Sequence, residues 1–188
     1  HDGNFDGKVD QVEYFDADKK LVRVEFDSNY DGKMDFFQFY DGNKHLVRIE
    51  KSTKFNDKID WKEFYGAGEK LTRLEVDSDV DGKTDLWQFY DENGQLTKSE
   101  MDTNKDGKPD RWNTYAGELL KMSAFDTNND GKPDQWQYFN SNKTLQKVEY
   151  DTNFDGKPDR WEYFDGNGKL NKVEIDRNFD GKVDVTQN

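Results

Sequence analysis

The residues with the types and spacing to do chemistry are the acids of a nine-residue segment that recurs along the chain, seen most plainly as Asp151-Thr152-Asn153-Phe154-Asp155-Gly156-Lys157-Pro158-Asp159. Its donors are all oxygens, three carboxylates and one carboxamide, which is the ligand chemistry of a hard cation. Calcium takes six to eight such oxygens in a flexible shell. Alternation along the loop lets side chains one, three and five converge, glycine at six permits a sharp reversal, and position seven offers its main-chain carbonyl. Asp at nine closes the shell. We number the loops one to eight by their starts at residues 2, 27, 52, 77, 102, 126, 151 and 176.

Seven loops carry the full donor set. Position one is Asp2, Asp27, Asp77, Asp102, Asp126, Asp151 and Asp176. Position three is Asn4, Asn29, Asp79, Asn104, Asn128, Asn153 and Asn178. Position five is Asp6, Asp31, Asp81, Asp106, Asp130, Asp155 and Asp180. Position seven, contributing its carbonyl, is Lys8, Lys33, Lys83, Lys108, Lys132, Lys157 and Lys182, and Pro109, Pro133 or Pro158 after it biases that residue toward extended backbone. Position nine is Asp10, Asp35, Asp85, Asp110, Asp134, Asp159 and Asp184. Loop three, residues 52–60, departs: it has Ser52, Lys54, Asn56 and Asp57 at positions one, three, five and six. Lys54 stands at a ligand position, where its ammonium would take the place of an ion. We therefore expect about seven Ca²⁺ and an empty loop three. Seven such ions would bring a charge of +14 against the formal net charge of −13, leaving +1, and relieve the repulsion among clustered carboxylates.

The D-x-[DN]-x-D-G-x-x-D pattern resembles the calcium loops of EF-hands, dockerins and thrombospondin type 3 repeats. In setting it is most similar to the strand-flanked calcium hairpins of integrin α-subunit (FG-GAP) β-propellers. That resemblance implies ligation by positions one, three, five, seven and nine. An EF-hand also requires flanking helices and a bidentate Glu at position twelve. Here position twelve is Glu13, Gln38, Glu63, Gln88, Asn113, Gln137, Glu162 or Gln187, so the EF-hand reading is rejected. The hairpin Trp161-Glu162-Tyr163-Phe164…Asn167-Gly168-Lys169-Leu170 is also similar to bacterial MORN-like and YD-type surface repeats.

The elements that must position these loops follow from the spacing between them. Successive loop starts are 25 residues apart except for one step of 24, so residues 1–188 form one repeat array. Each repeat reads as loop, strand, Asn/Asp/Gly turn, strand, and Gly, Asn, Asp or Pro interrupts every would-be helix. Plain alternation places Trp161 and Tyr163 with Val173 and Ile175 on an apolar face, and Glu162 with Lys172 and Glu174 on a charged one. It likewise sets Trp136 and Tyr138 with Val148 and Tyr150, and Gln137 opposite Lys147 and Glu149. Trp61 lies one residue earlier in its repeat, on the opposite parity. The fifth repeat has a shortened turn, Ala116-Gly117-Glu118, and predicts a local bulge or altered register. The expected fold is all-β: tandem hairpins in an elongated antiparallel meander or solenoid-like array with calcium loops on one edge. A β-propeller is the alternative.

Composition narrows the function. Charged residues reach 37% and hydrophobic ones only 31%, yet aromatics are 15%, more than a disordered chain carries. An acidic chain does not suit nucleic acid. There is no Cys, which removes disulfides and thiolate metal sites. No run reaches transmembrane length, so no membrane insertion is expected. The chain opens on His1 without a visible signal segment, and we expect it to belong to a longer chain. Only His1 and His45 are present, in unrelated repeat positions. Seven equivalent sites fit no asymmetric reaction, so an enzyme is not expected. The expectation is an extracellular, cell-surface or periplasmic structural module stiffened by Ca²⁺, since sites of modest affinity fill only where calcium is abundant. The alternative is a Ca²⁺-dependent adhesin or lectin taking a glycan or protein partner on an aromatic or charged face.

Overall fold

A computed structural model describes residues 1–188. Its strands are β1 (Gln11–Phe15), β2 (Leu21–Phe26), β3 (Phe36–Tyr40), β4 (Leu46–Lys51), β5 (Trp61–Tyr65), β6 (Leu71–Val76), β7 (Leu86–Tyr90), β8 (Leu96–Met101), β9 (Arg111–Ala116), β10 (Leu119–Phe125), β11 (Gln135–Phe139), β12 (Leu145–Tyr150), β13 (Arg160–Phe164), β14 (Leu170–Ile175) and β15 (Val185–Gln187). They follow one another in chain order as an antiparallel meander. The fold is the all-β hairpin array that the repeat implies, and the propeller alternative is set aside. The chain divides into two compact units, residues 1–94 and 95–188, described separately below.

The hairpin turns are built by one side chain. Asp41 Oδ1 accepts the backbone N–H groups of Asn43 (2.7 Å) and His45 (2.9 Å), and Asp165 Oδ1 those of Asn167 (2.9 Å) and Lys169 (3.0 Å). These short polar acceptors close a turn that the backbone alone leaves unsatisfied. The third repeat has Gly66 at this place. With no acceptor there, its turn tightens instead into a single 3-10 turn, Ala67–Glu69.

Register corrects the plain two-face reading. Phe164 pairs with Leu170 but Tyr163 pairs with Lys172, so Asn171 is bulged out of the β13–β14 ladder. One extra residue reverses the parity of everything beyond it. Trp161 thus opposes Glu174, and Glu162 opposes Val173. In the same way Trp136 opposes Glu149 and Gln137 opposes Val148. Equivalent bulges fall at Val22, Val47, Thr72 and Gln146. In the fifth repeat the hairpin extends to Leu119–Ala116 around the shortened turn, and its bulge falls at Lys121. Trp61 lies opposite Val76 and Lys51, off the row held by the other tryptophans, as its offset in sequence requires.

Each face therefore mixes apolar and charged rows. In residues 1–94 the row Tyr14, Arg23, Phe39, Arg48, Phe64, Arg73, Phe89 runs across the strands, alternating aromatic and cation. The Arg23, Arg48 and Arg73 guanidiniums sit 4.2, 4.1 and 4.1 Å from the ring centres of Tyr14, Phe39 and Phe64. Each such contact contributes about 0.5–1 kcal/mol at partly exposed sites. Glu25, Glu50 and Glu75 take the other side of those cations. On the opposite face Val24, Ile49 and Leu74 are buried in a row between Gln38, Glu63 and Gln88. The tyrosines close over that row: Tyr40 donates to Gln38 (2.9 Å), Tyr65 to Glu63 (2.5 Å) and Tyr90 to Gln88 (2.8 Å).

Residues 95–188 repeat the scheme with one change. Trp112, Ala124, Trp136, Glu149, Trp161 and Glu174 form one row, in which Ala124 is buried between two indole-bearing strands. In the central row of the other face the aliphatic position becomes Ser99 and Ser123, both fully buried. Asn113 between them donates to Ser99 Oγ (3.1 Å) and accepts from Ser123 Oγ (2.7 Å).

Candidate metal centre

All loops but loop one, which precedes β1, join the second strand of one hairpin to the first strand of the next, so a ladder fixes both of their ends. Asp159 N–H donates to Tyr150 O (2.8 Å) and Asp176 N–H to Asp159 O (2.8 Å). Between these anchors the side chains organise the backbone. Asp151 Oδ2 accepts the N–H of Gly156 (2.7 Å), and its Oδ1 that of Asp155 (3.2 Å). Asn153 Oδ1 also takes the Asp155 N–H (3.1 Å), and Asp155 Oδ1 the Lys157 N–H (2.9 Å). Positions one, three and five therefore all point inward, as the sequence requires. Gly156 sits at φ 90°, a region in which a Cβ is strained.

Position nine has a further job that the motif does not announce. Asp159 is 4% exposed. Its Oδ2 accepts the Thr152 N–H (2.7 Å) and its Oδ1 the Thr152 hydroxyl (2.8 Å). The same clasp joins Thr53 to Asp60, Ser78 to Asp85, Thr103 to Asp110 and Thr127 to Asp134. Ser or Thr at position two was the sequence signal for it. Position nine is thus a structural clasp.

The oxygens come closest to a metal-ready set in loop four. There position three is Asp79, and one carboxylate oxygen from each of Asp77, Asp79 and Asp85 lies within 4.8 Å of the others. Asp77 still accepts the Val80 N–H (2.7 Å) and the Gly82 N–H (2.8 Å). In the other six intact loops position three is Asn, which carries one negative charge fewer. An all-oxygen set of this kind fits calcium in hardness and number, with water completing the shell. In loop one, Lys8 N–H donates to Asp6 Oδ1 (2.8 Å), and this backbone hydrogen bond holds the Asp6 carboxyl below its ordinary range.

Loop three keeps the path without acids at positions one, three and five. Ser52 Oγ accepts the Asn56 N–H (3.3 Å), Asn56 Oδ1 the Lys58 N–H (3.2 Å), and Asp60 clasps Thr53. Asp57 takes the place of the glycine at φ 66°. Lys54 does not fold back into its own loop, as the sequence suggested. Its ammonium donates instead to Ser78 O, in loop four.

Two features were missed. Position four is left-handed in every loop, with φ between 51° and 66° at Phe5, Tyr30, Phe55, Val80, Lys105, Asn129, Phe154 and Phe179. Five of these are exposed aromatics, although the conformation costs roughly 1–2 kcal/mol for a side chain with Cβ. Nothing in residue type foretells it, since Asn or Gly is the usual occupant. Position twelve, set aside as a ligand, lies in the sheet as an acceptor for tyrosine: Tyr150 donates to Glu162 (3.2 Å).

Comparison with known proteins identifies no family for the chain. No protein-family model matches the chain, and no curated protein matches it. Among solved structures, S. aureus TarM in complex with fondaparinux, alpha-GlcNAc-glycerol and UDP aligns at TM-score 0.35 and 9% identity, over 79% of this chain and 21% of that one. TcdB2-TccC3 aligns at TM-score 0.27 and 11% identity, over 94% and 12% respectively. The accessory secretory protein 1, 2 and 3 structure from Streptococcus pneumoniae aligns at 0.22 and 15%, over 76% and 19%. The chain thus spans about a fifth or less of the proteins it aligns with.

Proposed function

We propose that the chain is a calcium-stiffened structural module, with one Ca²⁺ in each of the seven intact loops and none in loop three. What carries this reading is the contrast between loop three and the rest. Ser52 and Asn56 accept the position-five and position-seven amides that Asp151 and Asp155 accept in loop seven, and loop three keeps its path although Ser52 takes one amide where Asp151 takes two. The loop path therefore does not need carboxylates at positions one and five. Seven loops carry them even so, three or four acids within nine residues, at the expense of mutual repulsion. A bound divalent cation is the physical reason to concentrate charge that folding does not require. The residues that would hold it are those at positions one, three, five and nine, with the carbonyl of position seven. When bound, the ion supplies charge neutralisation and a cross-link between loop ends. The module's setting is extracellular, cell-surface or periplasmic, where calcium at 10⁻⁴–10⁻³ M fills sites of modest affinity.

Thermal unfolding with calcium and with a chelator tests the proposal. Each site filled at a hundred times its dissociation constant adds about 2.7 kcal/mol, so the midpoint is expected to rise clearly with calcium. Identical melting curves refute the reading.

A further inference from the structure

Loop three is neutral and loop four carries a formal charge of −3, the most negative of the eight. They are consecutive along the edge of residues 1–94. Two ammonium groups cross from the first to the second. Lys54 donates to Ser78 O, and Lys58 Nζ to Val80 O at 3.0 Å. Both acceptors are main-chain carbonyls at the heart of loop four, flanking Asp79. Val80 is 6% exposed, whereas Phe5, Tyr30, Phe55, Phe154 and Phe179, at the same loop position, are at least half exposed. Loop four is the covered one.

We propose that loop three is a side-chain staple that keeps loop four folded when no ion is bound. Its lysines stand where a metal loop would carry a ligand and a carbonyl donor, and they serve the neighbouring loop. They bring positive charge beside the densest carboxylate group in the chain, where repulsion without an ion is greatest. The lysine at position seven makes related links one loop earlier: Lys8 donates to Asp31 O (3.1 Å) and Lys33 to the Asp57 carboxylate (2.5 Å). Loop five also has a second lysine, Lys105 at position four, but only loop three places one at position three, in place of a ligand. The consequence is an array with a built-in ordered segment: the hairpin between loops three and four holds its form in low calcium and templates the rest when the ion returns.

The contrast between loops rests on the calcium reading, but the staple itself does not, and hydrogen exchange of the full chain separates the two. In chelator, the amides of Val80, Asp81 and Gly82 are expected to exchange more slowly than those of Asp155 and Gly156. The double substitution Lys54→Met, Lys58→Met is expected to speed exchange at Val80–Gly82 by roughly tenfold while leaving Asp155 and Gly156 unchanged. Lys54→Arg with Lys58→Arg, which keeps the donors, is expected to restore protection. Unchanged exchange at Val80–Gly82 in the methionine variant overturns the staple. Exchange at Asp155 and Gly156 that ignores calcium overturns the calcium reading and leaves the staple to stand on the variant.

Discussion

Asp10 is buried, and its Oδ1 has no hydrogen-bond partner. The reason is Gly3. Position two is Ser or Thr in six of the other seven loops, and there its hydroxyl donates to the position-nine carboxylate. A Cβ on Gly3 would meet Asp10 Oδ2 at an ordinary 3.5 Å. Gly3→Thr is therefore expected to stabilise the chain by about 1 kcal/mol, measured by urea unfolding; a loss of stability contradicts the clasp. Asp151→Ser with Asp155→Asn copies loop three into loop seven. It is expected to leave the fold intact and remove one bound ion, checked by circular dichroism and calcium titration together. At this scale the sequence was informative. Positions one, three and five point inward because an Asx side chain two or more residues before a free N–H captures it. The position-nine clasp was less visible because Asp as a ligand and Asp as a hydrogen-bond acceptor leave the same letter in the motif.

Among the elements, strands and turns were readable, but the pairing of the two strands in each hairpin was not. Alternation fixes which residues of one strand share a face. It does not fix the offset between strands, and the unpaired Asn171 changes that offset by one. No residue type marks the bulge, since its equivalents are Val22, Val47, Thr72 and Gln146. The central row of residues 95–188 depends on Asn113. Asn113→Ala would strand the Ser99 and Ser123 hydroxyls in a fully buried place and is expected to cost about 1–3 kcal/mol, read by thermal unfolding. The tyrosine links make the sheet sensitive to alkali. The Tyr138 phenol is pushed up to about 12 by burial, then by its hydrogen bond to Glu149 and that carboxylate's charge. A raised value favours the protonated folded state, so this contribution is full below about pH 10 and fades as pH rises toward the folded value. Tyr138→Phe is expected to flatten that part of the stability–pH curve. At Glu63, burial raises the pKa, but the hydrogen bonds from Tyr65, Lys51 and Trp61 outweigh it and hold the value low. Its contribution is present above the unfolded carboxylate range and is lost in acid.

For the whole molecule, the 25-residue period made the fold class legible, because a repeat that short can bury its apolar side chains only against its neighbours. The apolar core is correspondingly thin: Val24, Ile49, Leu74, Val80, Ala124 and Val148 are its buried members. The remaining support comes from ladders of cations, carboxylates and rings that no single repeat displays. A sheet with so little buried apolar area is expected to depend on its loops. The most direct measurement is the number of Ca²⁺ ions held by the chain at saturation, read by native mass spectrometry or calorimetric titration. The account predicts seven, falling to six in the Asp151→Ser, Asp155→Asn variant. A chain that binds no calcium at millimolar concentration, or that binds an eighth ion in loop three, contradicts it.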